Sequence, residues 1–296
     1  MADEPALLLG VGATKAGTSW LYSYLAGHAD CRFRAVKELH FFDALDDGSR
    51  ERQIAQLEAA RDAAVSKQAK AKGAARAALE ARIADFNEMI SVHRAGSEAE
   101  ALKRYMAYVM RDRGAAKVVG DITPAYALLS GERLSMMARL TPATRLLYLM
   151  RDPVDRLWSH VRMHATRSAA PGEDLAGRAV AVLRRVLRKD ALPAVTRRGD
   201  YAAALTKLLA AVPGPRLFVD YYERLISDEG IARLCGFLGI GHAPAPVAKR
   251  VHAGPAIPLD PELRLEAARM LAPQYDFVER TLGPLPARWQ ANRMGE

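Results

Sequence analysis

The sequence predicts an α/β fold, a parallel β-sheet flanked by helices on both faces and interrupted by a helical insertion. Short leucine-rich or β-branched runs recur along the chain with helical segments between them. The runs are continuously apolar, the pattern of strands buried on both faces, where a half-buried strand would alternate. A glycine-containing loop also joins the first run to a helix. A sheet of this kind takes its ligands beyond the carboxyl ends of its strands, so the residues that follow each run are the functional candidates.

The first run, LLLGVG (7 to 12), leads into GATKAGTSWL, whose second half starts a helix near Gly17. The second, CRFRAV (31 to 36), leads into KELHFFD. Residues 50 to 95 then turn to Ala, Arg, Lys, Gln and Glu, with Ile54, Leu57, Leu79, Ile83, Phe86 and Ile90 at roughly helical spacing and Gly73 near the middle. This is a helical hairpin or a long bent helix, an insertion over about 48–98 that packs on the sheet, covers the site or pairs two subunits. The third run, KVVGD (117 to 121), leads into ITPAY, and the fourth, RLLYLM (145 to 150), into RDPVDRLWSH. Asp152 suits a helix N-cap there and Pro153 the first helical position. The fifth, RLFVDY (216 to 221), runs into YERL.

With 296 residues and 50% hydrophobic composition the chain can bury one substantial core, and it reads as a single domain over residues 1–296. No apolar run approaches the roughly 20 residues of a membrane-spanning helix. Asp3 and Glu4 stand where a signal peptide would be basic. Cys31 and Cys235 form neither a CxxC nor a Cys/His cluster, so no zinc site or disulfide framework is suggested. The expectation is a soluble, reduced, cytoplasmic protein without a metal. A net charge of +9 and a pI of about 9.7 point to anionic partners.

Gly12 and Gly17 have the spacing of a nucleoside triphosphatase P-loop, but that loop carries its lysine after the second glycine. Here Thr18 follows Gly17, and Lys15 lies inside the loop. A strand, glycine loop and helix still aim backbone N–H groups and the positive helix end at an anion, with Thr18 and Ser19 adding hydroxyls. At the end of the fourth run a triphosphatase typically has a magnesium-binding carboxylate; this chain has Arg151, whose planar fork suits a second phosphate, with Ser159 about two turns along the helix. Two separate phosphate sites, one of them without an obvious metal ligand, are what 3'-phosphoadenosine 5'-phosphosulfate (PAPS) requires.

TKAGTSWL resembles the 5'-phosphosulfate loop of PAPS-dependent sulfotransferases, PKxGTTxL, and RDPVDRLWSH resembles their 3'-phosphate motif, R-[DN]-P-x-[ED]-R-x-x-S. KELHFFD and GDITPAY are similar to the KExxFFD and GExTPxY segments of the heparan-sulfate-type branch, which has many bacterial members. The four motifs cover about residues 7 to 166, and a G-x-Y segment followed by YERL extends the match to about 225. The resemblance implies that Lys15, Ala16, Gly17, Thr18, Ser19 and Trp20 form the 5' site, and that Arg151 and Ser159 form the 3' site. It further implies a closing basic loop, for which Lys249 and Arg250 in AKRVHAG are the candidates. PAPS is then the co-substrate and adenosine 3',5'-bisphosphate the product.

Sulfuryl transfer needs in-line geometry and charge stabilisation, and the transferred group carries less charge than a terminal phosphate. Lys15 is the candidate for stabilising the leaving oxygen. The acceptor, a carbohydrate, lipid or small metabolite bearing a hydroxyl or amine, must lose a proton. Glu38 matches the family's base, with His40 the alternative because its ordinary pKa suits base chemistry near neutrality. Lys37 can pair with Glu38, and Asp43 can orient His40 or cap a helix. Phe41 and Phe42 read as core, and His160 and His164 as structural. Polysaccharide-modifying relatives often carry lysine where this chain has Ile122, and glutamate where it has Asp121, which weakens an acidic polysaccharide as acceptor. Arg184, Arg185, Arg188, Lys189, Arg197 and Arg198 lie where acceptor recognition would be built. Two rival readings remain: an ATP-dependent P-loop kinase with Asp121 on magnesium, and an anion-binding or nucleic-acid-binding module.

Overall fold

The computed structural model describes residues 4–188, 192–244 and 257–295. Among these, five parallel strands form one sheet in the order β2-β3-β1-β4-β5: β1 Ala6–Gly12, β2 Cys31–Phe33, β3 Val118–Ile122, β4 Arg145–Met150 and β5 Leu217–Tyr221. All of β1 is buried, because it pairs with β3 on one side and β4 on the other and is covered on both faces. That is why its sequence does not alternate. From β1 the chain leaves toward β2, whereas from β4 it leaves toward β5. The two connections diverge between adjacent strands, which opens a crevice at their carboxyl ends.

The helices are α1 Thr18–Ala26, α2 Phe41–Asp46, α3 Arg50–Gln68, α4 Gly73–His93, α5 Glu98–Met110, α6 Gly131–Met137, α7 Pro153–Ser168, α8 Leu175–Leu187, α9 Pro193–Arg197, α10 Tyr201–Ala211, α11 Tyr222–Leu225, α12 Asp228–Leu238, α13 Pro261–Leu282 and α14 Ala287–Met294. One face of the sheet packs under α1 and α12 through Leu8, Leu21, Leu25, Ile122, Leu147, Leu149 and Leu234. The other face carries the larger core, built on Leu7, Leu9, Val11, Phe41, Phe42, Tyr148, Leu157, Val161, Leu205, Tyr275 and Trp289. No helix among the described residues is long and apolar enough to cross a membrane.

The insertion is the hairpin rather than the bent helix, with α3 and α4 lying against each other and Gly73 opening α4 in a left-handed conformation (φ 54°). Of its thin apolar stripe, Ile54, Leu57, Phe86 and Ile90 are buried in the larger core together with Met89, whereas Leu79 and Ile83 are half-buried against it. Strand β2 is shorter than its apolar run, ending at Phe33 rather than at residue 36. The reason is a carboxylate of the insertion. Asp85 on α4 accepts the Ala35 N–H at 2.7 Å and binds the Arg34 guanidinium, so the backbone leaves the ladder there.

Candidate active site at the carboxyl edge of the sheet

The loop after β1 is shaped by two left-handed residues, Lys15 (φ 68°) and Gly17 (φ 90°). Glycine is required at 17 on two counts, since a Cβ there would also run into the Tyr222 ring. The Ala13 N–H donates to Leu149 O at 2.7 Å, tying the loop to β4. Gly17 caps α1 without a side-chain acceptor, and no acidic residue lies in the first turn. The N–H groups of that turn are therefore open to an anion, and the positive helix end favours one. Ala16 and Thr18 are buried and Ser19 is half-buried. The Trp20 side chain packs inward, stacked on Tyr24 and edge-on to Tyr222, so what it offers the loop is backbone.

At the end of β4, the Asp152 side chain caps α7 by accepting the Asp155 N–H at 2.8 Å, with Pro153 at the first helical position. Burial pushes the Asp152 carboxyl up to about 6, although it also accepts the Tyr275 hydroxyl at 2.7 Å. The turn is held from three sides. Glu223 accepts the Asp152 N–H at 3.1 Å and the Trp289 indole N–H at 3.0 Å. Tyr201 donates its hydroxyl to Arg151 O at 2.6 Å and accepts the Arg151 N–H at 3.2 Å. Arg151 itself is only loosely tethered, 3.9 Å from an Asp155 carboxylate that Arg288 holds at 2.7 Å and Arg264 approaches at 3.5 Å. Among the described residues its guanidinium donors thus remain open to a ligand. Ser159 is half-buried two turns further on.

Lys15 is half-buried within a field of like charge. Burial pulls its pKa down, and Arg167, Arg162 and Arg151 pull the same way, with Glu38 opposing. The neighbouring His160 is pushed down to about 3, first by burial and then by Arg156, Arg198 and Lys15. It is therefore neutral. Arg156 is buried below Gly199, where a Cβ would collide with its guanidinium; its Nη2 donates to Val195 O at 3.4 Å. Arg198 donates to the Thr14 hydroxyl at 3.3 Å, so it belongs to the glycine loop as much as to any acceptor surface. Arg162 and Arg167 were missed by sequence reasoning. Arg162 lies one turn beyond Ser159 on α7, and that spacing was the available signal.

Beyond β2, Glu38 (φ 62°) and His40 (φ 50°) are left-handed. With Lys15, they account for three of the five non-glycine residues of positive φ among the described residues, and such strain concentrates at functional sites. Lys37 pairs closely with Glu38 Oε1. His40 Nε2 stands 3.8 Å from Glu38 Oε2, and His40 Nδ1 is 2.7 Å from Asp43 Oδ2. Burial alone would lower the His40 pKa, but the Asp43 hydrogen bond and charge, with Glu38 and Asp121, raise it overall. Phe41 and Phe42 are fully buried, with Phe41 stacked on Tyr105 at 4.4 Å between centroids.

Asp121 is buried and accepts the Thr123 hydroxyl at 2.7 Å, the Tyr126 hydroxyl at 2.7 Å and the Tyr105 hydroxyl at 3.1 Å. Its carboxylate is thus committed to holding the turn after β3, where the kinase reading would have put it on magnesium. Ile122 packs against Gly10 of β1, inside the smaller core rather than in the cleft. Arg184 and Arg185 lie in the last turn of α8. Lys189, Lys249 and Arg250 fall outside the described residues.

A model of the sulfotransferase family matches residues 8–244. No protein of curated function matches the chain. The fold is similar to that of a sulfotransferase from Alicyclobacillus acidocaldarius, with 22% identity, a TM-score of 0.60, and 97% of this chain and 99% of that one covered. It is also similar to the sulfotransferase domain of the olefin synthase from Synechococcus PCC 7002, with 17% identity, a TM-score of 0.50, and 98% and 92% covered.

Proposed function

The chain belongs to the sulfotransferase family, and from that premise we propose that it moves a sulfuryl group from PAPS to a hydroxyl or amine acceptor by in-line transfer. One observation carries the choice of donor. The open amides of α1, the Lys15 ammonium and the loosely tethered Arg151 lie around one crevice, at the carboxyl ends of adjacent strands β1 and β4. That arrangement suits a ligand with two separate phosphate groups. We take residues 1–296 as one catalytic domain, because both cores are built on the same sheet. The two free, buried cysteines fit a reducing cytoplasm.

In this reading, Lys15, Gly17, Thr18 and Ser19 hold the 5'-phosphosulfate, and Arg151 with Ser159 holds the 3'-phosphate; Ala16 and Trp20 contribute backbone. Glu38 takes the acceptor proton as the acceptor atom bonds to sulfur. The bond from sulfur to the 5'-phosphate oxygen breaks, and Lys15 stabilises the charge that develops on that oxygen, which leaves as adenosine 3',5'-bisphosphate. His40 is the poorer base. Its Nδ1 is taken by Asp43 and its Nε2 faces Glu38, so it serves as a partner that orients Glu38. The acceptor is a small molecule, lipid or carbohydrate, with Arg198 and the cations of α7 near its path.

Calorimetric titration with adenosine 3',5'-bisphosphate in EDTA tests the donor site. Binding that weakens at least tenfold in Arg151→Ala supports it. A folded wild-type protein that ignores this nucleotide and binds ATP with magnesium would overturn the reading in favour of a kinase.

A further inference from the structure

The hairpin α3/α4 is an addition to the sheet domain whose inner helix touches the segment carrying the proposed base. Between the end of β2 and the start of α2 the chain makes no ladder, yet two of its residues are left-handed. Conformations of that kind are costly and persist only when their surroundings over-determine them. The restraint comes from α4. At one end Asp85, 2% exposed, accepts the Ala35 N–H at 2.7 Å and pairs with Arg34; Arg111 of the following segment joins the same carboxylate at 2.9 Å. At the other end His93, also 2% exposed, places Nε2 3.4 Å from Leu39 O, with its ring tilted against Phe41 at 6.3 Å.

Asp85 and His93 are eight residues apart, about 12 Å along one rigid helix. Glu38 lies in the stretch between the two backbone groups they hold. Burial pushes the His93 pKa down to about 4, so the ring is neutral near pH 7 and can donate from Nε2 to the carbonyl without bringing a charge into the core. Tyr126 completes the mounting by accepting the Phe41 N–H at 3.0 Å while donating to Asp121.

We propose that the helical insertion is a positioning device for the base: Asp85 and His93 pin the two ends of segment 35–39 and thereby set the left-handed backbone that points Glu38 into the crevice. The inference rests on Glu38 being the base.

The test uses Asp85→Ala, His93→Ala and His93→Gln in the full chain. Hydrogen exchange of the peptide 34–41 should accelerate at least tenfold in both alanine variants while the glycine loop keeps its protection. Hydrolysis of labelled PAPS, with water as acceptor, should lose about tenfold or more in kcat. Affinity for adenosine 3',5'-bisphosphate should stay within twofold. His93→Gln, which keeps an N–H donor, should recover most of the rate. In a Glu38→Gln background the alanine substitutions should cost little more, because residues acting through one group are not additive. Unchanged exchange in 34–41 overturns the proposal, as does a kcat loss that is additive with Glu38→Gln. Should Asp85→Ala fail to fold, the His93 pair decides alone. Full turnover by Glu38→Gln overturns both the base and its positioning, whereas loss there with additive effects overturns the positioning only.

Discussion

Replacing Lys15 with methionine should move ligand binding and stability in opposite directions. Methionine keeps most of the aliphatic stem and its packing while removing the ammonium. A hydrogen bond to a charged group contributes about 1.5–3 kcal/mol, which converts to roughly a 10- to 150-fold weaker Kd for adenosine 3',5'-bisphosphate. Without ligand, Lys15 stands half-buried before Arg151, Arg162 and Arg167, and its depressed pKa means that folding disfavours its charge. For a lysine lowered in the folded state, that penalty is complete below the folded pKa and fades as pH rises toward the ordinary value of 10.5. The ligand-free variant should therefore melt no lower than wild type at pH 7, and higher by about 1–3 °C if the relief approaches 1 kcal/mol. That advantage should shrink toward pH 10. Calorimetric titration supplies the Kd, and differential scanning calorimetry supplies Tm at both pH values. A Kd within twofold of wild type would refute the placement of Lys15 in the anion site. A Tm several degrees lower would show that its charge is part of the fold's support.

Glu38→Gln keeps the size of the base and removes its proton affinity, so PAPS turnover should fall by about 10²- to 10⁴-fold with nucleotide affinity unchanged; an equal loss in both would mean a binding role. His40→Asn gives a pH signature. The folded pKa of His40 is raised, so the stability contributed through Asp43 and Glu38 is complete below the ordinary value of 6.5 and is lost as pH rises through the folded value. The stability gap between wild type and His40→Asn in urea melts should accordingly narrow from pH 6 to pH 9, and a constant gap would remove the charge argument for His40.

The strands, the glycine loop and the N-capped turn at Asp152 were all readable from residues close together in the chain, because each is specified by local backbone demands. Lys15 and Arg151 were readable for a related reason: both follow strands, and in a parallel sheet such residues gather at one edge. Other features depended on contacts across the chain. Strand β2 stops at Phe33 only because a carboxylate 50 residues away takes the Ala35 N–H. Asp121 accepts hydroxyls from Thr123 and Tyr126 of its own motif, but its third donor, Tyr105, and the Gly10 that makes Ile122 a core residue come from outside that motif. Arg162 and Arg167 look like an ordinary polar helix face until the fold brings their charges to bear on Lys15.

The sequence by itself therefore determined the layer architecture and the residue types at the strand ends, since apolar runs, turn residues and caps are set by neighbours a few positions apart. Only the tertiary structure decided which cations share the field around Lys15, and that the insertion is a hairpin bonded to both ends of the segment of Glu38. Those outcomes depend on through-space electrostatics and on hydrogen bonds between distant parts of the chain, which linear spacing does not encode.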